Sequence, residues 1–454
     1  MKKTKLNIIR EFSSSKMNSS NEEFIVKILK GSDGYVQIER TALRSKIKNQ
    51  VDTYTFVSQN KEEVIRPLDS LTAEKIVSRL SSDTHKWSDA FIFNESNGSE
   101  LNWKKSDQEH KFTSTGIKFW RHSDQMNEFK SGGSKTIIST HISPEGACNL
   151  KCPYCSVTYR NTHNRISLER IQKYVLDLKE YGLKAVILTG GGEPTLYKQF
   201  NELVTWLHEQ NLSIGLITNG TQTHKIDKSV LKYFSWVRVS INIFEGWQEK
   251  IKFPYEDLSD DCVVGCSMVY TGEHENSQIS QSSWRNLFDQ ISKVANNCGA
   301  SYIRVLPNCL LEQDQLLLQH ESLNKTLKET GDTRYFQQYK IHNSPFAETC
   351  NQAYFRPYLS EESWCEDGEP GTVYPCDSVV LNQAVAHFAN QYQVCKPENI
   401  KDFLEHKVKM KFNPKESCSG CVFTENVNML EDWKNGKISR FDEFTNAIKH
   451  EEFV

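Results

Sequence analysis

A chain of 454 residues exceeds what one hydrophobic core usually supports, so two or three domains are expected. A formal net charge of −3 gives no global attraction toward nucleic acid or an anionic membrane. No run of eighteen apolar residues occurs, so no membrane-spanning helix and no membrane partner are expected.

The opening, MKKTKLNIIREFSSSK, starts like an export signal. Its apolar stretch, Leu6 to Ile9, is too short for one. The chain is therefore expected in the cytoplasm, where its 13 cysteines are thiols, metal ligands or catalytic groups rather than disulfides. None of them precedes Cys148. Residues 1–50 carry eleven Lys/Arg against five Asp/Glu, a bias that fits a solvated terminus and leaves nucleic acid open as a partner.

EEFIVKILK, GYVQIER and TYTFVSQ read as strands of a small sheet, and LTAEKIVSRL as a helix. Residues 1–134 are thus expected to be an α+β module of unknown role. It is closed off by the small, polar stretch SGGSKT at 131–136.

A regular alternation follows. TIISTHI is a strand; Leu168, Ile171, Val175 and Leu178 mark one face of a helix that Gly182 ends. KAVILTG, SIGLITNG, WVRVSINIF, CVVGCSMVY and SYIRVLPN are five further strands, each followed by a helical segment. The pattern predicts parallel pairing in a sheet covered on both faces. Six units fall short of a closed eight-fold barrel. The expected fold class is α/β, a partial (β/α)6 TIM-like barrel over residues 135–331. Chemistry in such sheets gathers at the carboxyl ends of strands.

After the first strand comes EGACNLKCPYCSVTYR, with Cys148, Cys152 and Cys155. Thiolates are soft ligands for zinc or for iron–sulfur clusters. A structural zinc would need a fourth ligand, for which His141 and His163 stand nearby. After the second strand comes LTGGGEPTL, whose glycines let the backbone approach a ligand closely. Alone, it is also a plain strand-to-helix turn started by proline.

Together the two loops resemble the radical S-adenosylmethionine (radical SAM) superfamily. Its CxxxCxΦC signature is matched by Cys148, Cys152, Tyr154 and Cys155, and its GGEP motif by Gly191, Gly192, Glu193 and Pro194. The resemblance covers about residues 135–331. It implies a [4Fe–4S] cluster held by three cysteines, with the fourth iron open to S-adenosyl-L-methionine. It also implies a one-electron reductant such as flavodoxin or ferredoxin, and radical abstraction of a substrate hydrogen. The backbone of Gly191 to Glu193 is expected at the methionyl amine. Ser240 and Asn242, polar positions on the fourth strand, resemble family contacts to ribose or carboxylate, or else cap the strand end. Arg304, on the sixth strand, suits a carboxylate ligand or a structural ion pair.

The last third, residues 332–454, is rich in cysteine. Gly371 with Cys376 and the CxxC of Cys418 and Cys421 resemble the SPASM/Twitch extensions that hold auxiliary clusters. The match implies one auxiliary [4Fe–4S] cluster on Cys365, Cys376, Cys418 and Cys421, with Cys350 or Cys395 as substitutes. The same thiolates would also suit a structural zinc. Cys298 reads as core, and Cys262, Cys266 and Cys309 fall near the barrel interior.

The substrate class that follows from the resemblance is a peptide or protein side chain. The alternatives are a nucleotide or other small metabolite, nucleic acid, or a non-enzymatic iron–sulfur or zinc protein.

Overall fold

The computed structural model describes residues 7–13, 24–30, 35–42, 51–57, 106–158, 160–271, 281–311, 313–340, 345–381, 389–418, 420–437 and 450–454. Contacts divide the chain into two compact units. One comprises Met1–Lys111 with Asn435–Ile448, the other Phe112–Lys434 with Lys449–Val454.

In the first unit, β1 (Asn7–Ser13), β2 (Phe24–Lys30), β3 (Tyr35–Ala42) and β4 (Val51–Val57) form an antiparallel sheet in chain order. The sequence reading found β2 to β4 but not β1, whose segment was read only as a signal-like start. The helix expected at LTAEKIVSRL lies outside the described residues.

The second unit holds the predicted six strands: β5 (Ser139–Ile142), β6 (Ala185–Leu188), β7 (Ser213–Thr218), β8 (Phe234–Ser240), β9 (Val263–Tyr270) and β10 (Tyr302–Pro307). All neighbouring pairs are parallel. The sheet reaches beyond these six. The parallel strand β11 (Tyr335–Gln337) extends it past β10, and β12 (Tyr358–Ser363) joins the free side of β5 in parallel. β13 (Pro370–Tyr374) then pairs antiparallel with β12, giving the order β11-β10-β9-β8-β7-β6-β5-β12-β13. The nine-stranded sheet does not close on itself.

Helix α1 (Leu168–Glu180) shows how local sequence sets the crossovers. The Ser167 side chain accepts from the Arg170 N–H at its start, and Ile171, Tyr174, Val175 and Leu178 bury one face. Gly182, at φ +106°, then takes the left-handed conformation that ends the helix. Helices α2 (Phe200–Glu209), α3 (Lys228–Leu231), α4 (Trp247–Lys250), α5 (Gln281–Asn297) and α6 (Gln313–Leu327) follow β6 to β10 as expected. Every residue of β5 and β6 is buried, as a doubly covered parallel sheet requires. Among the described residues, no helix is long and apolar enough to cross a membrane.

Candidate active site

The cysteine loop leaves β5 and is stitched to its surroundings by backbone and charge. Glu145, buried, pairs with Arg165 at 2.6 Å, and the Gly146 N–H donates to the Asn164 carbonyl at 2.9 Å. Arg160 wraps the loop. Its Nε donates to the Gly146 carbonyl, and its Nη1 reaches both the Val157 carbonyl and Cys155 Sγ, the last at 3.6 Å.

Cys148, Cys152 and Cys155 are free and partly buried. Burial, then the charges of Cys155 and Cys148, pushes the Cys152 thiol up to about 11. Cys148 is also raised, chiefly by burial. Three thiols within reach of one another's charge repel as thiolates, and a cationic centre between them would relieve that repulsion. Among the described residues, no three Cys, His, Asp or Glu side chains converge tightly enough to grip a single bare ion. A donor set of thiols alone suits an iron–sulfur cluster, in which each thiolate takes a separate iron.

The glycine turn after β6 is fastened directly to this loop. The Gly192 N–H donates to the Glu145 carbonyl at 2.9 Å and the Glu193 N–H to the Ala147 carbonyl at 2.8 Å. The Gly191 N–H donates to Ser143 Oγ at 2.7 Å. A methyl group on Gly192 would run into the Ala147 and Glu145 carbonyls, so only glycine allows this approach. With these N–H groups engaged, the turn has carbonyl acceptors left to offer a ligand. An amine is the matching donor.

The Glu193 side chain has a different partner set. Its carboxylate accepts from the Thr195 N–H and hydroxyl, from Thr218 Oγ1 at 2.6 Å and from the Asn219 N–H at 2.7 Å. It therefore ties the turn to the end of β7, while Pro194 starts the short turn Pro194–Leu196. Asn219 continues the tie, donating to Asn149 Oδ1 at 2.9 Å, while Asn149 donates to Thr221. Thr218 and Asn219 escaped the sequence reading, although their polarity at the end of an apolar strand was a signal. Tyr154 Oη donates to Asn242 Oδ1 at 3.2 Å, and Asn242 Nδ2 to the Ser240 carbonyl at 3.4 Å. The aromatic position of the cysteine motif thus meets the two polar positions at the end of β8.

Residues 142–256 match the radical SAM superfamily. Residues 142–256 form a radical SAM domain. Curated relatives include an S-adenosylmethionine-dependent nucleotide dehydratase of Selenomonas ruminantium, 32% identical over 18% of this chain and 30% of that protein. They also include an Fe-coproporphyrin III synthase of Methanosarcina barkeri, 35% identical over 23% of this chain and 27% of the relative. The matches thus span under a third of these two relatives' length. Among solved structures, Streptococcus suis SuiB bound to S-adenosylmethionine is similar at 14% identity and a TM-score of 0.38, over 59% of this chain and 68% of that one.

Beyond the radical SAM domain a second group of thiols gathers. Cys350, Cys376, Cys418 and Cys421 share one apolar cluster with Tyr392 and Phe412. Burial is the main cause that raises all four thiols. Cys350 also feels Cys421 and Cys418, and Cys376 feels Cys350 and Cys421. Cys365 does not join them. It is exposed, in the turn past the Ser363↔Pro370 pair, whereas Cys376 follows the Tyr358↔Tyr374 pair at the other end of the hairpin. Five strand residues at about 3.4 Å each hold the two ends roughly 15 Å apart. Cys365 therefore stands apart from this group, and Cys350 is the fourth thiol in it. Cys395 is buried, but its carboxylate neighbours are Glu398 and Asp402 rather than the thiol group.

The remaining singled-out side chains belong to the packing. Cys266 and Cys298 are buried, and each shifts the other's thiol, Cys266 upward and Cys298 downward. Arg304 Nη1 donates to Gln338 at 2.8 Å.

Glu361, on β12, is fully buried beside the glycine turn, and burial raises its carboxyl to about 7. Native Glu361 therefore binds its proton more readily than the unfolded chain does, so this group's contribution to stability falls as pH rises from about 4.5 to 7. Glu361→Gln is expected to leave stability nearly unchanged at pH 4.5. At pH 8 it should raise it by up to about 3 kcal/mol, a figure read from denaturant unfolding. Equal shifts at both pH values would contradict this.

Proposed function

We propose that the chain is a cytoplasmic radical SAM enzyme in which Cys148, Cys152 and Cys155 hold a [4Fe–4S] cluster. The observation that carries this reading is the direct stitching of the three-cysteine loop to the glycine turn through Gly192 and Glu193. When bound, the cluster would supply an open iron for S-adenosyl-L-methionine and the electron that splits it into methionine and a 5′-deoxyadenosyl radical.

The chain's own residues orient and shield. Gly190 to Gly192 present carbonyls to the methionyl amine, and Glu193 keeps that turn in place through Thr218 and Asn219. Arg160 sets a positive charge beside Cys155. Tyr154 and Asn242 brace the loop against β8, where Ser240 and Asn242 would meet the nucleoside. A one-electron reductant such as flavodoxin or ferredoxin would be the redox partner.

The substrate we favour is a peptide or protein side chain. The N-terminal sheet supports it, since β1 and β4 are edge strands on which an extended peptide could pair. A second reading, a nucleotide or other small metabolite, is favoured by the nucleotide dehydratase and the coproporphyrin synthase among the relatives. The four thiols of Cys350, Cys376, Cys418 and Cys421 would hold one auxiliary [4Fe–4S] cluster.

The test is anaerobic reconstitution with iron and sulfide, followed by reductant and S-adenosyl-L-methionine. Formation of 5′-deoxyadenosine is expected. A protein loaded with intact cluster that forms none would sink the reading. Deuterium transfer into 5′-deoxyadenosine from labelled peptides or nucleotides would then separate the two substrate classes.

A further inference from the structure

The C-terminal thiol group meets the barrel at one aromatic ring. Phe423 lies just past Cys421 and belongs to the apolar cluster that holds Cys350, Cys376, Cys418 and Cys421. Two cations reach that ring. Lys340 Nζ lies 5.0 Å from its centroid, and Arg356 Cζ also lies 5.0 Å from it. Lys340 follows β11, which ends at Gln337, and Arg356 precedes β12, which starts at Tyr358. These strands stand towards opposite ends of the unclosed sheet, so the segment carrying the thiols bridges its two sides.

The two cations differ in their surroundings. Arg356 is buried, and its Nη2 lies 3.1 Å from His141 Nε2 and 3.7 Å from Asp377 Oδ1, whose carboxylate offsets its charge. Lys340 is partly exposed, and its charge is felt at Asp377, at Cys309 past the end of β10, and at Cys421. Burial raises the Cys421 thiol, while the Phe423 N–H, Thr424 and the Lys340 charge act against it. Lys340, Arg356 and Asp377 together turn a net positive charge towards the thiols.

A [4Fe–4S] core on four thiolates is an anion when oxidised, and reduction adds one more negative charge. A cation fixed beside it in an apolar surround favours the reduced state, and by more than it would in water. Cation–π attraction to Phe423 holds the Lys340 ammonium in that place.

We propose that Lys340 raises the reduction potential of the C-terminal cluster. The inference rests on the auxiliary cluster proposed above for Cys350, Cys376, Cys418 and Cys421. Lys340 is a positioning residue here: it ligates no iron and acts through its charge. The centre is then an electron acceptor rather than a staple. Its oxidised form takes one electron from a one-electron reductant, and no thiolate bond breaks.

The test uses the full-length Cys152→Ala chain, reconstituted anaerobically, so that the C-terminal cluster is the redox centre observed. Its electron-resonance signal is followed through a titration with dithionite and redox mediators. At a fixed potential, Lys340→Met is expected to lower the reduced-to-oxidised ratio about tenfold, a midpoint about 59 mV lower for a one-electron couple. Lys340→Glu reverses the charge and should lower the ratio about a hundred-fold. Lys340→Arg keeps the charge and should stay within about twofold of the Lys340 protein.

A Lys340→Met ratio within about twofold of the Lys340 protein overturns the inference, as does an arginine variant that falls as far as the methionine one. If Lys340→Met fails to load iron, Lys340→Gln replaces it with the same expected shift. Failure of both to load would make Lys340 a support for the cluster and overturns the proposal. A Cys152→Ala chain with Lys340 in place that takes up zinc, or no iron and sulfide, overturns the auxiliary cluster as well. Midpoints indifferent to Lys340 in a fully loaded site overturn this inference alone.

Discussion

Replacing Cys152 with alanine is expected to abolish 5′-deoxyadenosine formation, with a loss of more than a thousand-fold, and to remove about four irons per chain. Cys152 is the central thiol of the loop. Its thiol feels both Cys155 and Cys148, so its removal leaves two thiols facing a space arranged for three. Two thiolates retain a cubane cluster poorly. The fold itself should survive. The loop is anchored elsewhere, by Glu145 to Arg165, Gly146 to Asn164 and the glycine turn. Unfolding should therefore change little while iron, sulfide and turnover fall together. Parent-level 5′-deoxyadenosine from Cys152→Ala protein would place the chemistry elsewhere.

What was legible in the sequence is short-range. The six strand–helix units announce themselves by apolar runs of strand length and by faces such as that of Leu168, Ile171, Val175 and Leu178. The cysteine loop and the glycine turn each lie within a few residues, and the order of the strands makes them neighbours. What was missed depends on pairings between distant segments. Nothing local in YLSEES says that it will lie against β5 and bury Glu361 there. The GGEP motif does not announce the partners of the Glu193 side chain, whose four donors come from Thr195, Thr218 and Asn219, the last two a strand away. Cys365 enters the ligand set only through the SPASM/Twitch resemblance, and a hairpin makes chain proximity misleading. Residues on opposite ends of one strand are close in number and far apart in space, while Cys350 and Cys376 flank the whole hairpin and meet at its base.

That exchange of ligands supplies the second large prediction. In the Cys152→Ala background, residual metal reports the C-terminal thiols alone. Adding Cys350→Ala is expected to strip that metal, whereas adding Cys365→Ala should leave it intact. The reason is burial as much as geometry. Cys350, Cys376, Cys418 and Cys421 share an apolar surround that raises every thiol, so the empty site holds neutral thiols, and a metal centre displaces their protons and removes the cost of burying bare thiolates. Free energy of metal binding at a structural thiolate site, on the order of 10 kcal/mol in small metallo-domains, is also folding free energy. Cys350→Ala should therefore lower the thermal midpoint markedly, and exposed Cys365→Ala hardly at all. Iron with equal sulfide would identify an auxiliary cluster, and zinc a structural ion on the same four ligands. Metal retained by Cys350→Ala but lost from Cys365→Ala would return the site to the hairpin tip, which the strand length of β13 forbids if Cys376 is to remain a ligand.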